Sequence, residues 1–148
     1  MKRIVSILSM LIILISCKEI ALANNLKPKN NIKVTTLTEL RNAIKNSTPG
    51  DNIILANGIW KDAEIKFYGK GTKENPIVLR AETAGKVFIE GVSNLKLAGS
   101  YLEVRDLYFK NGYTPSNAVI QFKINNDSIA NNCKITQCVI EEFTQPDR

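Results

Sequence analysis

The residues of this sequence that could do chemistry are lysines, tyrosines and a few carboxylates, and none of its 148 positions is histidine. The usual general base at neutral pH and the commonest zinc ligand are therefore missing. Glu141-Glu142 is a carboxylate pair, but neighbours on a strand point to opposite faces, which does not suit acid–base work. Gly69-Lys70-Gly71-Thr72 looks like a phosphate loop. That motif needs a glycine five residues before Gly-Lys-[Ser/Thr], and lysine does not follow Gly71, so it is set aside. Cys133 and Cys138 have C-x4-C spacing, with no second pair to complete a zinc site. Lys61, Lys66, Lys70, Lys73, Lys96, Lys110, Lys123 and Lys134 could form a basic face for an anionic chain; the plainer reading is solvated cations blunting sheet edges. Trp60, Tyr68, Tyr101, Tyr108 and Tyr113 could stack on sugar rings, with core packing as the plainer reading for most. No constellation here suffices for catalysis.

The elements that would position these residues are set by a repeat. Leu102 to Phe109 can be laid on Cys133 to Ile140, with Leu102 on Cys133, Val104 on Ile135, Leu107 on Cys138 and Phe109 on Ile140, an offset of 31 residues (133 minus 102). Each block is apolar-x-apolar, a polar pair, then apolar-x-apolar. Alternation gives a short strand with one buried face. The polar pairs Arg105-Asp106 and Thr136-Gln137 fit a bend after which a second strand resumes. Bent strand pairs at a fixed offset predict coils stacked on coils. Strands of three to six residues with no helix between them exclude a βαβ sheet. They leave a sandwich, a barrel or a β-solenoid, and the stacked blocks favour the solenoid.

In order, Ile32 to Val34 reads as a strand. Thr36-Leu37-Thr38-Glu39 reads as a capping box, with Glu39 reaching back to the Thr36 amide. Leu37, Leu40, Ala43 and Ile44 form one apolar helical stripe, and Pro49-Gly50 ends it. Such a helix suits a cap over the first coil. Strands are expected at 53–55, 59–67, 77–81, 87–89, 95–97, 101–109 and 118–124, with loops at 68–75, 111–116 and 125–132. Asn125-Asn126 and Asn131-Asn132 are candidates for stacked corner amides, with solvated loop asparagines as the alternative.

Composition is that of a folded protein, 44% hydrophobic and 23% charged. The net charge is +6, or +4 without Lys2 and Arg3 (6 minus 2), which favours anionic partners without choosing among them. Lys2-Arg3 followed by the mainly apolar run Ile4 to Ile15 reads as an export signal. Leu14-Ile15-Ser16-Cys17 resembles a lipobox in which Cys17 is acylated; the alternative is cleavage after Ala21-Leu22-Ala23. Residues 1–23 are thus read as the signal region, 24–31 as a tether and 32–148 as solenoid coils. Export places Cys133 and Cys138 in an oxidising compartment, yet two core thiols are favoured over a bridge because both fall on leucine positions of the preceding block. After Gln145-Pro146-Asp147-Arg148 no closing cap is recognisable, so the sequence is read as the N-terminal part of a longer protein.

From Pro49 onward the sequence resembles the chondroitinase B and alginate lyase group, polysaccharide lyase family 6. The matching stretches are Ala56 to Lys61, Gly69 to Thr72 with Asn75-Pro76-Ile77, Gly85-Lys86-Val87, Leu107 to Gly112, Cys133 to Ile140, and Phe143 with Gln145-Pro146-Asp147-Arg148. Ala84 departs from the proline that many members carry in that turn. The resemblance implies an all-β, right-handed parallel β-helix with an N-terminal capping helix. It also implies β-elimination on a uronate-containing anionic polysaccharide, with a lysine base, an arginine acid and a bound calcium neutralising the carboxylate. Those residues belong to later coils, so no catalytic or calcium-binding position is assigned here. Arg148 matches a stretch near the groove and is the one candidate contact to a substrate carboxylate; the plainer reading is a structural salt bridge. Lys110 to Pro115 and Gln145 to Arg148 look more like the alginate-degrading branch. The expected partners are anionic polysaccharide and, through Cys17, a membrane, but not nucleic acid. A surface glycan-binding β-helix without turnover, or a pectin-acting β-helix enzyme, are the competing readings.

Overall fold

Short strands with one apolar face stack well when each finds a parallel partner one coil away, and this chain does so on three faces. The structure, a computed structural model, describes residues 29–144. The signal region, Cys17 and Arg148 lie outside the described residues. The elements are β1 (Asn30–Val34), α1 (Leu37–Lys45), β2 (Asp51–Leu55), β3 (Gly58–Lys61), β4 (Glu64–Lys70), β5 (Ile77–Ala81), β6 (Val87–Val92) and β7 (Asn94–Ser100). They continue with β8 (Leu102–Arg105), β9 (Tyr108–Tyr113), β10 (Ile120–Gln121), β11 (Ala130–Asn131), β12 (Lys134–Thr136), β13 (Val139–Ile140) and β14 (Phe143–Thr144). One sheet runs β1-β2-β5-β8-β12. A second runs β3-β6-β9 and ends on β13 and β14, and a third pairs β4, β10 and β11 with β7. The pairings between these strands are parallel. The fold is a parallel β-helix, as expected.

Like residues stack along its axis. Ile32 pairs with Ile53, Ile53 with Leu79, Leu79 with Val104 and Val104 with Ile135, an aliphatic ladder five deep. Ile53, Leu79 and Val104 are fully buried, and each such side chain contributes roughly 1.5–3 kcal/mol. Glu103 pairs with Lys134 and Phe109 with Ile140, so the two blocks lie one above the other at the expected 31-residue offset (134 minus 103). The expected bends are left-handed corners: Asp106 has φ 65° and Gln137 φ 53°. Tyr101 and Asn132, and Asn111 and Glu142, repeat the same positive-φ geometry, again 31 apart.

The cap forms much as expected. Thr36 Oγ1 accepts from the Glu39 amide at 3.2 Å. The Glu39 carboxylate, however, takes the amide and hydroxyl of Thr35 at 2.6 and 2.9 Å, one residue earlier than a standard capping box. Leu40, Ala43 and Ile44 are buried, and α1 packs on β1, β2 and β4.

Several boundaries differ from the sequence reading. β1 starts at Asn30, inside the segment read as tether, because its backbone pairs with Asp51 and Asn52. The strand expected over 59–67 is two strands, broken by Asp62 at φ 54°. That corner reverses the inward parity, so Trp60 is 5% exposed while Ile59 is 64% exposed. The expected loop at 68–75 begins later, since β4 runs to Lys70 with Gly69 against Gly99. A Cβ on Gly99 would lie 1.9 Å from the Gly69 carbonyl oxygen, so only glycine permits this approach. The strand expected over 118–124 shrinks to β10. Residues 122–129 then leave the sheet as a small hairpin, held by an antiparallel bridge between Lys123 and Ile129, before β11 rejoins it. The stacked amides occur elsewhere: Asn52 Nδ2 donates to Asn31 Oδ1 at 2.8 Å, whereas Asn125 Oδ1 accepts the Asp127 amide.

Candidate functional site

Three outward faces are available to a ligand, and the candidate residues are divided among them. On the β3-β6-β9-β13 face the outward positions are Ile59, Phe88, Tyr108 and Val139, in register one coil apart. The Phe88 and Tyr108 rings lie 5.7 Å apart, and Lys110 Nζ sits 3.9 Å over the Phe88 ring. Tyr108 donates its hydroxyl proton to Glu141. Asn111 donates to Glu90 at 3.2 Å. This face carries aromatic surface whose polar tips and cation are already engaged.

The β4-β7 face is different. Inward Ile65 and Phe67 alternate with outward Lys66 and Tyr68, and Lys66 pairs in register with Lys96 on the next coil. On the β1-β2-β5-β8-β12 face, Lys134 lies 3.5 Å from Glu103, and Lys33 binds Glu82 at 2.5 Å. The lysine bonded to Glu82, followed by the Asn57 amide, holds that carboxyl below its usual value.

The eight lysines therefore do not make a single basic face. Trp60 is core, its Nε1 donating to the Ala56 carbonyl at 3.0 Å, so it is unavailable for stacking. Tyr68 and Tyr113 are exposed. Glu141-Glu142 are not acid–base partners, but for another reason than strand alternation: they form the corner between β13 and β14, with Glu142 at φ 47°. Cys133 and Cys138 are free, half-buried thiols, as favoured from sequence. Burial pushes the Cys138 thiol above its ordinary value, with the Asp106 charge adding to it against hydrogen bonds from the Leu107 and Asp106 backbone.

Among the described residues no three acidic or cysteine side chains gather closely enough to hold a metal ion. The described residues thus offer no such acidic cluster to fit the calcium that the resemblance implies.

The family model for chondroitinase B matches residues 34–148. The chain belongs to the chondroitinase B family. Among solved structures, the PL6 family alginate lyase AlyGC is 49% identical with a TM-score of 0.74, over 75% of this chain and 15% of its own. A mannuronic acid specific polysaccharide family 6 lyase from human gut microbiota is 33% identical, with a TM-score of 0.68, over 76% of this chain and 26% of its own. The PL6 family polysaccharide lyase from Pseudopedobacter saltans is 37% identical, with a TM-score of 0.67, over 75% of this chain and 24% of its own. The chain thus spans about a quarter or less of the length of these relatives. Comparison with curated proteins gave no match.

Sequence reasoning missed one arrangement. Arg41 and Lys45 of α1 face Glu64, Lys66 and Tyr68 of β4 across a cleft. The i, i+4 spacing of Arg41 and Lys45 and the i, i+2 spacing of Lys66 and Tyr68 were visible. That the helix lies over that strand was not.

Proposed function

We propose that the protein carrying this chain is an exported polysaccharide lyase that cleaves a uronate-containing polymer by β-elimination, alginate first and chondroitin or dermatan sulfate next. The observation that carries this reading is the family match over residues 34–148, with 49% identity to an alginate lyase over 75% of the chain. The chain's coils found the solenoid on which base, acid and calcium ligands of the longer protein would be arrayed. Calcium would supply charge neutralisation at the uronate carboxylate. Arg148 would contact a substrate carboxylate, and acylated Cys17 would anchor the protein at the cell surface.

The test is the absorbance of unsaturated product when the whole protein meets alginate, with and without a chelator. Turnover abolished by the chelator supports both enzyme and metal. Tight binding with no product would instead favour the non-catalytic glycan-binding β-helix. The isolated 148-residue chain is expected to be inactive, and Arg148→Ala in the whole protein to raise KM several-fold. Acylation is checked separately by the mass of the mature N-terminus.

A further inference from the structure

We infer that the cleft between α1 and β4 is a binding site for the carboxylates of an anionic polysaccharide, formed by Arg41, Lys45 and Lys66 with Tyr68 as a sugar platform. The choice of a polysaccharide rests on the lyase reading above. The cleft has a volume of about 480 Å³, within the range of roughly 300–1,000 Å³ usual for ligand pockets. Its cations come from two rigid elements. Arg41 and Lys45 are one helical turn apart on α1, and Lys66 is on the outer face of β4. Lys96 extends the row by one strand spacing, about 4.8 Å.

Like charges at these spacings repel one another. Among the described residues, none of Arg41, Lys45, Lys66 or Lys96 is in an ion pair, unlike Lys33 and Lys134. Glu64 is the single acidic residue in the lining. A cleft with three cations and one carboxylate is electrostatically unfinished, and an anion would complete it. Guanidinium binds carboxylate bidentately, while the lysines act as point charges.

Tyr68 distinguishes a sugar acid from a phosphate. It is 43% exposed beside Lys66, on an outer strand face where its ring can lie against a pyranose. Glu64 would repel a dense polyanion but can accept a sugar hydroxyl. An array of carboxylates spaced by hydroxyl-bearing rings fits this lining better than a phosphate backbone or an anionic lipid surface.

The experiment uses the whole protein in native gels cast with alginate, compared with gels containing neutral dextran. Arg41→Gln with Lys66→Gln is expected to weaken retention by alginate about tenfold, the loss of two charge-assisted contacts. Tyr68→Ala should weaken it several-fold, and Lys73→Gln with Lys86→Gln, exposed lysines outside the cleft, should leave it unchanged. Turnover of a short alginate oligosaccharide should be unaltered in all of them, which also shows that they fold. Wild-type retention of the Arg41/Lys66 variant would overturn the inference while leaving the lyase reading intact. Equal loss of retention by polyphosphate or anionic vesicles, with no effect of Tyr68→Ala, would also overturn it. Failure of the wild-type protein to cleave or to bind either alginate or chondroitin or dermatan sulfate would remove the lyase reading, and this one with it.

Discussion

The second coil, β5-β6-β7, and the last, β12-β13-β14, use the same inward pattern but differ in what covers it. Ile77, Leu79, Val87, Ile89, Leu95 and Leu97 are all fully buried. Cys133, Ile135 and Cys138 are only half-buried, and Ile140 is 50% exposed. The second coil pairs with strands on both sides, whereas β12, β13 and β14 pair on one side only among the described residues. A solenoid coil has no core of its own. Its apolar residues become buried to the extent that neighbouring coils close over them, so stability is a sum of nearest-neighbour terms.

The largest difference between closely and loosely stacked positions is expected at a glycine. Gly99 and Gly85 both have positive φ, 114° and 71°, but a Cβ on Gly99 meets the Gly69 backbone while one on Gly85 meets nothing. Gly99→Ala is expected to cost about 3–5 kcal/mol, backbone strain plus overpacking. Gly85→Ala should cost only the strain, about 1 kcal/mol. Urea unfolding of the whole protein separates the two, and equal losses would mean that coil-to-coil approach is looser than the stacked strands require.

Next in size is the aliphatic ladder. Leu79→Ala should destabilise by about 3 kcal/mol, and Ile135→Ala, two rungs further on, by about 1 kcal/mol in the isolated chain. Should the whole protein cover the last coil, the Ile135→Ala cost there would rise toward that of Leu79→Ala. That single number shows whether a further coil closes over β12.

At the cap the effects are smaller. Thr36→Ala removes the helix N-cap and is expected to cost about 1 kcal/mol, read from the same unfolding curves. The smallest effect is acid sensitivity confined to the cap and first coils. Burial raises the Asp51 carboxyl, but hydrogen bonds from the Thr48 amide, Asn30 side chain and Thr48 hydroxyl outweigh it and leave the value lowered. Glu39 is likewise lowered, first by the Thr35 amide and then by its hydroxyl. A folded value below the unfolded one means stability present above about pH 4 and lost as pH falls through the folded value. Asp51→Asn should flatten the stability profile between pH 5 and about 3, and an unchanged profile would show that these hydrogen bonds persist with the carboxyl protonated.

The repeat was legible in sequence for a specific reason. Between the third and fourth coils the offset is 31 residues on every paired face, for instance 134 minus 103 and 143 minus 112. Between the second and third it is 25 at Leu102 (102 minus 77) and 20 at Tyr108 (108 minus 88). Only the last pair of coils keeps a constant spacing, so only it shows as a repeat in the sequence. The hairpin at 122–129 accounts for the difference on the β7 face: β10 sits 25 residues beyond its partner (120 minus 95) and β11 sits 31 beyond (130 minus 99). Chain leaves the sheet there and returns without disturbing the stack.

Local pattern alone determined that the chain is built of short strands, that a capped amphipathic helix precedes most of them, and that the block from Leu102 stands over the block from Cys133. These follow from alternation and capping, which are properties of neighbouring residues. Tertiary structure decided that Ile59 points outward and Trp60 inward, because Asp62 turns the chain through a left-handed corner that no alternation rule registers. It also decided that Arg41 and Lys45 line one cleft with Lys66 and Tyr68, residues 21 to 27 apart in sequence that come together only when α1 closes over β4.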